Sequence, residues 1–175
     1  MTLGPLHAAT RDLHHACEKH PVGAAMSSGK PPKQWYADWV AVLLAIHAYT
    51  DHLVPEAAQR AEQCLDDFNY MVYVEGIKPR CPPVVLDYVR NMKQDDLLAA
   101  AYVLTGAHLF GGEIMRKRLE GYPTQHLVWD DRKQVLAWFT PLRQREELAE
   151  SARRCFAVLL AAMDTIQGAD HGQDH

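Results

Sequence analysis

Apolar residues recur every three to four positions along almost the whole chain, the spacing of one face of an α-helix. In the first segment, from about Leu3 to His20, the residues Leu3, Leu6, Thr10, Leu13 and Cys17 form such a stripe. Pro5 stands in its first turn, where a missing N–H is tolerated. Gly29-Lys-Pro-Pro32 reads as a connector. A second helix is predicted from about Lys33 to Leu53, and a third opens at Pro55 and runs to about Phe68. Asn69–Pro83 is the least regular stretch. Its Tyr70–Val74 part suits a short extended piece, while Gly76, Pro79, Pro82 and Pro83 make the whole a long loop. A short helix from about Val84 to Met92 follows. Asp95 or Asp96 then caps a long helix over about Leu97–Glu120, ended by Gly121 and Pro123. Asp130 or Asp131 caps another over Arg132–Phe139, and Pro141 starts the last, which runs to about Ile166. Beyond Tyr70–Val74 there is no strand alternation, and there is no internal repeat or linker. The expected fold class is all-α: one domain of six or seven helices over 1–168, with a disordered tail at 169–175.

Composition fits that picture. The chain has 175 residues, 48% of them hydrophobic and 23% charged, which is ordinary globular usage. A chain of this length buries roughly 70% of its unfolded surface, enough for its own core. The formal charge is −4, which argues against a phosphate-backbone partner, so no nucleic acid is expected. Apolar runs such as Val40–Ile46 and Phe156–Met163 fall well short of the ~20 residues of a membrane span. The N-terminus lacks a basic segment followed by an apolar one, so neither a signal peptide nor a membrane partner is expected. Cys17, Cys64, Cys81 and Cys155 are widely spaced without a C-x-x-C, and read as reduced thiols of a cytoplasmic protein. Nucleotide-binding glycine motifs, H-E-x-x-H, a serine elbow and the Glu-x-x-His pair of di-iron bundles are all missing.

Two helices carry anomalies. The predicted long helix holds Gly106, Gly111 and Gly112 where every other residue favours helix, at a cost of about 1 kcal/mol each relative to Ala. Close helix packing explains a single glycine. An adjacent pair clears a patch of helix surface and permits a kink, which suits a backbone lying over a flat ligand. In the first helix, at about 100° per residue, His14 falls on the border of the apolar stripe, His15 faces solvent, and Glu18 lies one turn beyond His14. A border histidine with a carboxylate four residues on fits a metal ligand whose second nitrogen is held. A half-buried, solvent-bridged histidine fits the same pattern.

Leu6, Thr10, His14 and Glu18, each separated by three residues, resemble the first helix of haem oxygenases. The stretch Tyr102-Val-Leu-Thr-Gly-Ala-His-Leu-Phe-Gly111-Gly112-Glu is similar to the distal helix of that family, and the two motifs stand about as far apart as the family places them. The resemblance implies haem (iron protoporphyrin IX) between the first helix and a Gly-kinked distal helix. It makes His14 the proximal iron ligand and Glu18 its hydrogen-bonded partner, with Gly111 and Gly112 across the opposite face and Tyr102 near the haem edge. His7 and Arg11 stand where animal enzymes carry lysines that meet the propionates, and Lys133 matches a further propionate contact. Arg116 and Lys117 follow the glycine pair where the family has basic residues used by electron donors of reductase or ferredoxin type. A solvated helix end explains these two equally well.

One departure stands out. His108 replaces the family's distal aspartate, which organises water that supplies protons, and Phe110 replaces a serine. Three placements of His108 stay open: a proton relay, a sixth iron ligand, or a surface residue on the outer face. The implied activity is oxidative cleavage of haem, both cofactor and substrate, to biliverdin, carbon monoxide and ferrous iron, using O2 and an external electron donor. The alternatives are a non-catalytic haem-binding or gas-sensing protein of the same fold, with His108 near or on the iron, and a haem-free activity on the related scaffold, such as thiaminase-like or cofactor-synthesis chemistry. His47, Asp51 and His52 read as helix-end structure more than as a metal site. Cys81-Pro82 resembles the short Cys-Pro motif of haem-responsive proteins, and the four tryptophans read as core or groove residues.

Overall fold

Leu6, Thr10 and Cys17 turn inward from α1 (Pro5–Lys19), as the 3.6-residue period requires, and the Thr10 hydroxyl donates to the Leu6 carbonyl at 3.0 Å. The computed structural model describes residues 4–169; Leu3 and the tail from residue 170 lie outside the described residues. The other helices are α2 (Pro21–Ser28), α3 (Lys33–Thr50), α4 (Ala61–Tyr73), α5 (Pro83–Arg90), α6 (Gln94–Arg118), α7 (Arg132–Leu142) and α8 (Ala149–Ala169). Single 3-10 turns stand at Asp51–Leu53, Glu56–Ala58, Gln125–Leu127 and Glu146–Leu148, and no strand occurs among the described residues. The fold is all-α. α3, α6 and α8 form its centre, α1 packs along α8, and α4 packs along α3. Both α1 and α6 rest on α8, which leaves a cleft between them.

Several boundaries differ from those read in the sequence. There are eight α-helices among the described residues, not six or seven. The additional one, α2, starts with Pro21 at its first position; the His20 ring accepts from the Val22 amide at 3.2 Å. Pro55 opens only a 3-10 turn. The next helix begins at Ala61, where the Asp51 carboxylate accepts from the Arg60 and Ala61 amides at 2.9 and 2.7 Å. It then runs on through Tyr73, so most of the Tyr70–Val74 stretch is helical rather than extended, because Cys64, Asp67 and Met71 share a buried face. Local β-preference gives way to packing there. Pro141 lies inside the last turn of α7 rather than at the start of α8. The long helix α6 begins at Gln94, and Asp96 accepts from the Lys93 amide as the third residue in.

α6 runs unbroken through Gly106, Gly111 and Gly112. By length and composition it is long enough and apolar enough to cross a membrane, which the shorter apolar runs did not suggest. More than half of its most apolar window is buried against other helices, and a core helix has that composition without a bilayer.

Two glycines with positive φ fix the frame of the cleft. Gly4 (φ 80°) lies so close to the Arg143 backbone that a Cβ would stand 2.6 Å from its carbonyl oxygen, and the Leu6 amide donates to that same carbonyl at 3.1 Å. Gly29 (φ 79°) ends α2 against the carbonyl of Arg118, again leaving no room for a Cβ. The start of α1 is thus tied to the end of α7, and the end of α2 to the end of α6. Arg153 of α8 completes the frame with a two-pronged bond to Asp12 at 2.7 and 3.0 Å.

Candidate functional site

The cleft between α1 and α6 holds two adjoining cavities that share His14, Glu18, Val103, Ala107 and Phe156 in their walls. The larger, of about 570 Å³, is within the usual range for small-molecule sites. The smaller, of about 110 Å³, is walled by α1, α2, α3, α6 and α8. His14 stands on one side of the larger cavity. Facing it from α6 are Gly106, Ala107, Phe110 and Gly111, with Phe139 and Arg143 from α7 and its C-cap. A Cβ built on Gly111 would meet nothing within 4 Å, so this turn of α6 offers bare backbone to the cleft.

The adjacent glycines do not act as a pair. Gly112 is turned away from the larger cavity, and its Cβ would rest on Leu127 at 3.4 Å, an ordinary packing distance. The cleft face is built by Gly106 and Gly111 instead, five residues apart, with Ala107 between them. At Gly106 the limit is close packing, because a Cβ would come within 3.0 Å of the Phe139 ring. That ring stacks on Tyr102 at 4.9 Å, with the planes only 5° apart, so Tyr102 is held in place largely as part of the wall.

On α1 the three groups His14, His15 and Glu18 lie together, their ligand atoms all within 4.8 Å of one another. Glu18 is closer to His15 than to His14. Its carboxylate bonds His15 Nδ1 at 3.1 Å and stays 3.7 Å from His14 Nε2. The expected Glu18–His14 hydrogen bond is therefore not formed. His15 itself is exposed and lines neither cavity, as the helical phase anticipated.

Of the basic residues, His7 lines the larger cavity, whereas Arg11 and Lys133 are exposed and do not. Burial, with the nearby His14 and Arg143, pushes the His7 pKa down, so a neutral ring is the stable form. The cation at that end of the cleft is Arg143, which the sequence did not single out. It is half-buried, and its Nε has no hydrogen-bond partner. Its guanidinium lies over Phe110 and Phe139. No local signal marks Arg143, because its position follows from the Gly4 contact, which joins residues far apart in sequence. Arg116 and Lys117 are exposed at the end of α6, and Lys117 pairs with Glu113 at 2.9 Å.

His108 is not a surface residue. It is 5% exposed, lines the smaller cavity, and its Nδ1 is buried without a partner. Burial first, then His126, His47 and Arg60, push its pKa well below the ordinary value, so the ring is neutral. Two other buried histidines flank it, His126 with ring centres 5.4 Å away and His47 at 6.4 Å. The thiols contribute no ligand to the cleft. Cys17 borders the smaller cavity, but burial raises its pKa to about 12 and keeps it protonated. Cys81 lies outside both cavities, with its thiol raised to about 11 by burial and then by Asp38.

No protein-family model matches the chain, and no curated protein sequence matches it. Solved structures do. Heme oxygenase from Leptospira interrogans superposes with a TM-score of 0.75 at 15% identity, over 94% of this chain and all of that one. Heme oxygenase-1 from the cyanobacterium Synechocystis, solved in complex with heme, superposes with a TM-score of 0.75 at 18% identity, over 94% of this chain and 91% of that one. The chain therefore has the haem oxygenase fold.

Proposed function

We propose that the chain binds haem in the α1–α6 cleft and cleaves it oxidatively to biliverdin, carbon monoxide and ferrous iron, using O2 and an external electron donor. The observation that carries this reading is the opposition of an imidazole, His14, to the stretch of α6 at Gly106, Ala107 and Gly111 that is nearly bare of side chains. A flat macrocycle needs both: a neutral nitrogen donor on one face and a close, featureless wall on the other. The open space over Gly111 is the cradle that any larger side chain would fill.

The residues present suit such a group. His14 offers a ring nitrogen at the cleft wall, and rotation of Glu18 away from His15 would give that imidazole a carboxylate partner. Arg143 offers an unneutralised guanidinium to ligand carboxylates, and His7 a neutral N–H or lone pair beside it. Phe110, Phe139 and Phe156 supply apolar wall that keeps water from the flat faces. Bound haem would supply the redox chemistry with O2, while the protein binds, orients and limits access. Arg116 and Lys117 form an exposed basic end of α6, suited to an acidic electron-donor protein.

The reading is tested by titrating hemin into the apoprotein and then following biliverdin formation with ferredoxin and its reductase, catalase being present. A saturable change in the Soret region and sustained pigment formation are expected. No specific absorption change would end the proposal. A six-coordinate, low-spin spectrum that becomes five-coordinate in His108→Ala, without turnover, would make the chain a haem-binding protein instead.

A further inference from the structure

The cleft uses only one of the two consecutive histidines on α1, since His14 lines it and His15 does not. His15 is exposed, yet its ring centre lies 6.0 Å from that of His14, with the planes tilted by 55°. Glu18 stands one turn further along and faces both rings. One carboxylate oxygen accepts from His15 Nδ1 at 3.1 Å, and the other stands 3.7 Å from His14 Nε2. All three ligand atoms lie within 4.8 Å of one another. Ligands about 2.1 Å from a tetrahedral cation are roughly 3.4 Å apart. The two approaches to Glu18 bracket that spacing.

The surroundings prepare the three groups for a shared ligand. The His14 ring meets Phe156 of α8 edge-on, with centres 6.0 Å apart, which holds it at the cleft wall. The hydrogen bond to Glu18 holds His15. His14 is half-buried and the other two are exposed, so side-chain rotation alone closes the gap between the two rings. Asp12, on the same helix, is bonded to Arg153 and takes no part. An exposed ion pair adds little to stability, so the fold gains little from the arrangement. Two imidazole nitrogens and one carboxylate are instead a donor set for zinc and its neighbours in the first transition row, with a fourth position left to water. We propose that His14, His15 and Glu18 bind a divalent cation of the zinc class in the apoprotein, and that the cation and haem exclude each other because both draw on the His14 imidazole. The exclusion rests on the functional reading above; the cation site does not.

Binding is a ligand exchange with no change of oxidation state. The cation sheds water and takes one lone pair from each imidazole and one from the ionised carboxylate. The proton that His15 Nδ1 donates to Glu18 moves to the other ring nitrogen or to solvent, which frees both groups for the cation. A ligand that occupies His14 from the cleft side leaves only His15 and Glu18, a pair too small to hold the cation. By linkage, the cation weakens hemin binding by the factor by which hemin weakens cation binding. The site would thus couple occupancy of the cleft to the supply of free metal.

The test has two arms, with Zn2+ as the probe because it has no redox chemistry of its own. In the first, zinc chloride is titrated into the full-length apoprotein by calorimetry, and the histidine ring signals are followed by NMR. One zinc ion per chain that shifts the His14 and His15 rings is expected. His15→Ala and Glu18→Gln should each weaken it at least about tenfold, with the melting temperature of the metal-free protein unchanged, because both side chains are exposed. In the second, hemin is titrated with zinc held at about ten times its own dissociation constant. The hemin concentration for half-saturation should rise about tenfold in wild type and stay within about twofold in His15→Ala. Equal zinc affinity in wild type and both variants overturns the cation site and spares the haem reading. Zinc bound at these residues with hemin affinity unchanged overturns the exclusion. Failure of the wild-type chain to bind hemin without zinc ends the haem reading and the exclusion with it, while the zinc titration decides the cation site on its own.

Discussion

The guanidinium of Arg143 lies 4.8 Å from the centre of the Phe110 ring, and Phe139 flanks it at 5.2 Å. Aromatic faces hold this cation in place without neutralising it. It is therefore available to a carboxylate entering the cleft, and a charge-assisted hydrogen bond to it is worth about 1.5–3 kcal/mol. Arg143→Met is expected to weaken hemin binding about 10- to 100-fold. Hemin dimethyl ester, whose carboxylates are blocked, should bind wild type and variant with less than about threefold difference. Equal loss for both ligands would show that Arg143 shapes the cleft rather than pairing with the ligand.

Gly111 sets stability against binding. Its position is helical and open, so Gly111→Ala should stabilise the apoprotein by up to about 1 kcal/mol. The same methyl group enters the cleft, and Gly111→Leu would fill it further. We expect a melting temperature that is unchanged or higher in both variants, with hemin affinity reduced in Ala and lost in Leu. Gly112→Ala, directed at Leu127, should leave hemin affinity as it is. A Gly111→Leu variant that binds hemin normally would place the ligand elsewhere.

His14 and His15 share Glu18 in the structure but face different surroundings. His14 lines both cavities, whereas His15 is an exposed neighbour. His14→Ala should abolish the specific Soret change and turnover. His15→Ala should preserve both, since it removes only the hydrogen bond that draws Glu18 away. Absorption titrations of the two variants side by side check this, and equal loss in both would refute the assignment of the ligand.

Much of this site was legible in α1, because a helix converts spacing directly into facing. Leu6, Thr10 and Cys17 are buried and His14 lies at the border of the stripe, all read from one period. The second wall was legible only in part. That α6 carried an unusual number of glycines was plain, but which of them faced the cleft depended on the rotation of the helix, and this is set by Leu127 and Phe139 from elsewhere in the chain. Arg143 and His126 carried no local signal. One is placed by Gly4 and the other by Asp67, and such pairings between distant segments leave no trace in the spacing. Tyr70–Val74 failed for a related reason: the buried face of α4, made by Cys64, Asp67 and Met71, outweighed what the residues prefer in isolation.

The buried histidines make stability depend on pH in a definite direction. Burial lowers the pKa of His108, and that of His47 despite Asp51; the groups facing His108 are His126, His47 and Arg60. In the unfolded chain both histidines take up a proton near pH 6.5. Below that value the unfolded state binds more protons than the folded one, so stability is complete above about pH 7 and falls as the solution is acidified. Each histidine adds at most about 1.4 kcal/mol per pH unit to that slope. Urea unfolding between pH 5 and 8 should therefore show a steeper acid loss in wild type than in His108→Gln, which carries no titrating group at that position. An unchanged slope would mean that His108 takes up its proton in the folded protein, and so that water reaches it more freely than its burial indicates.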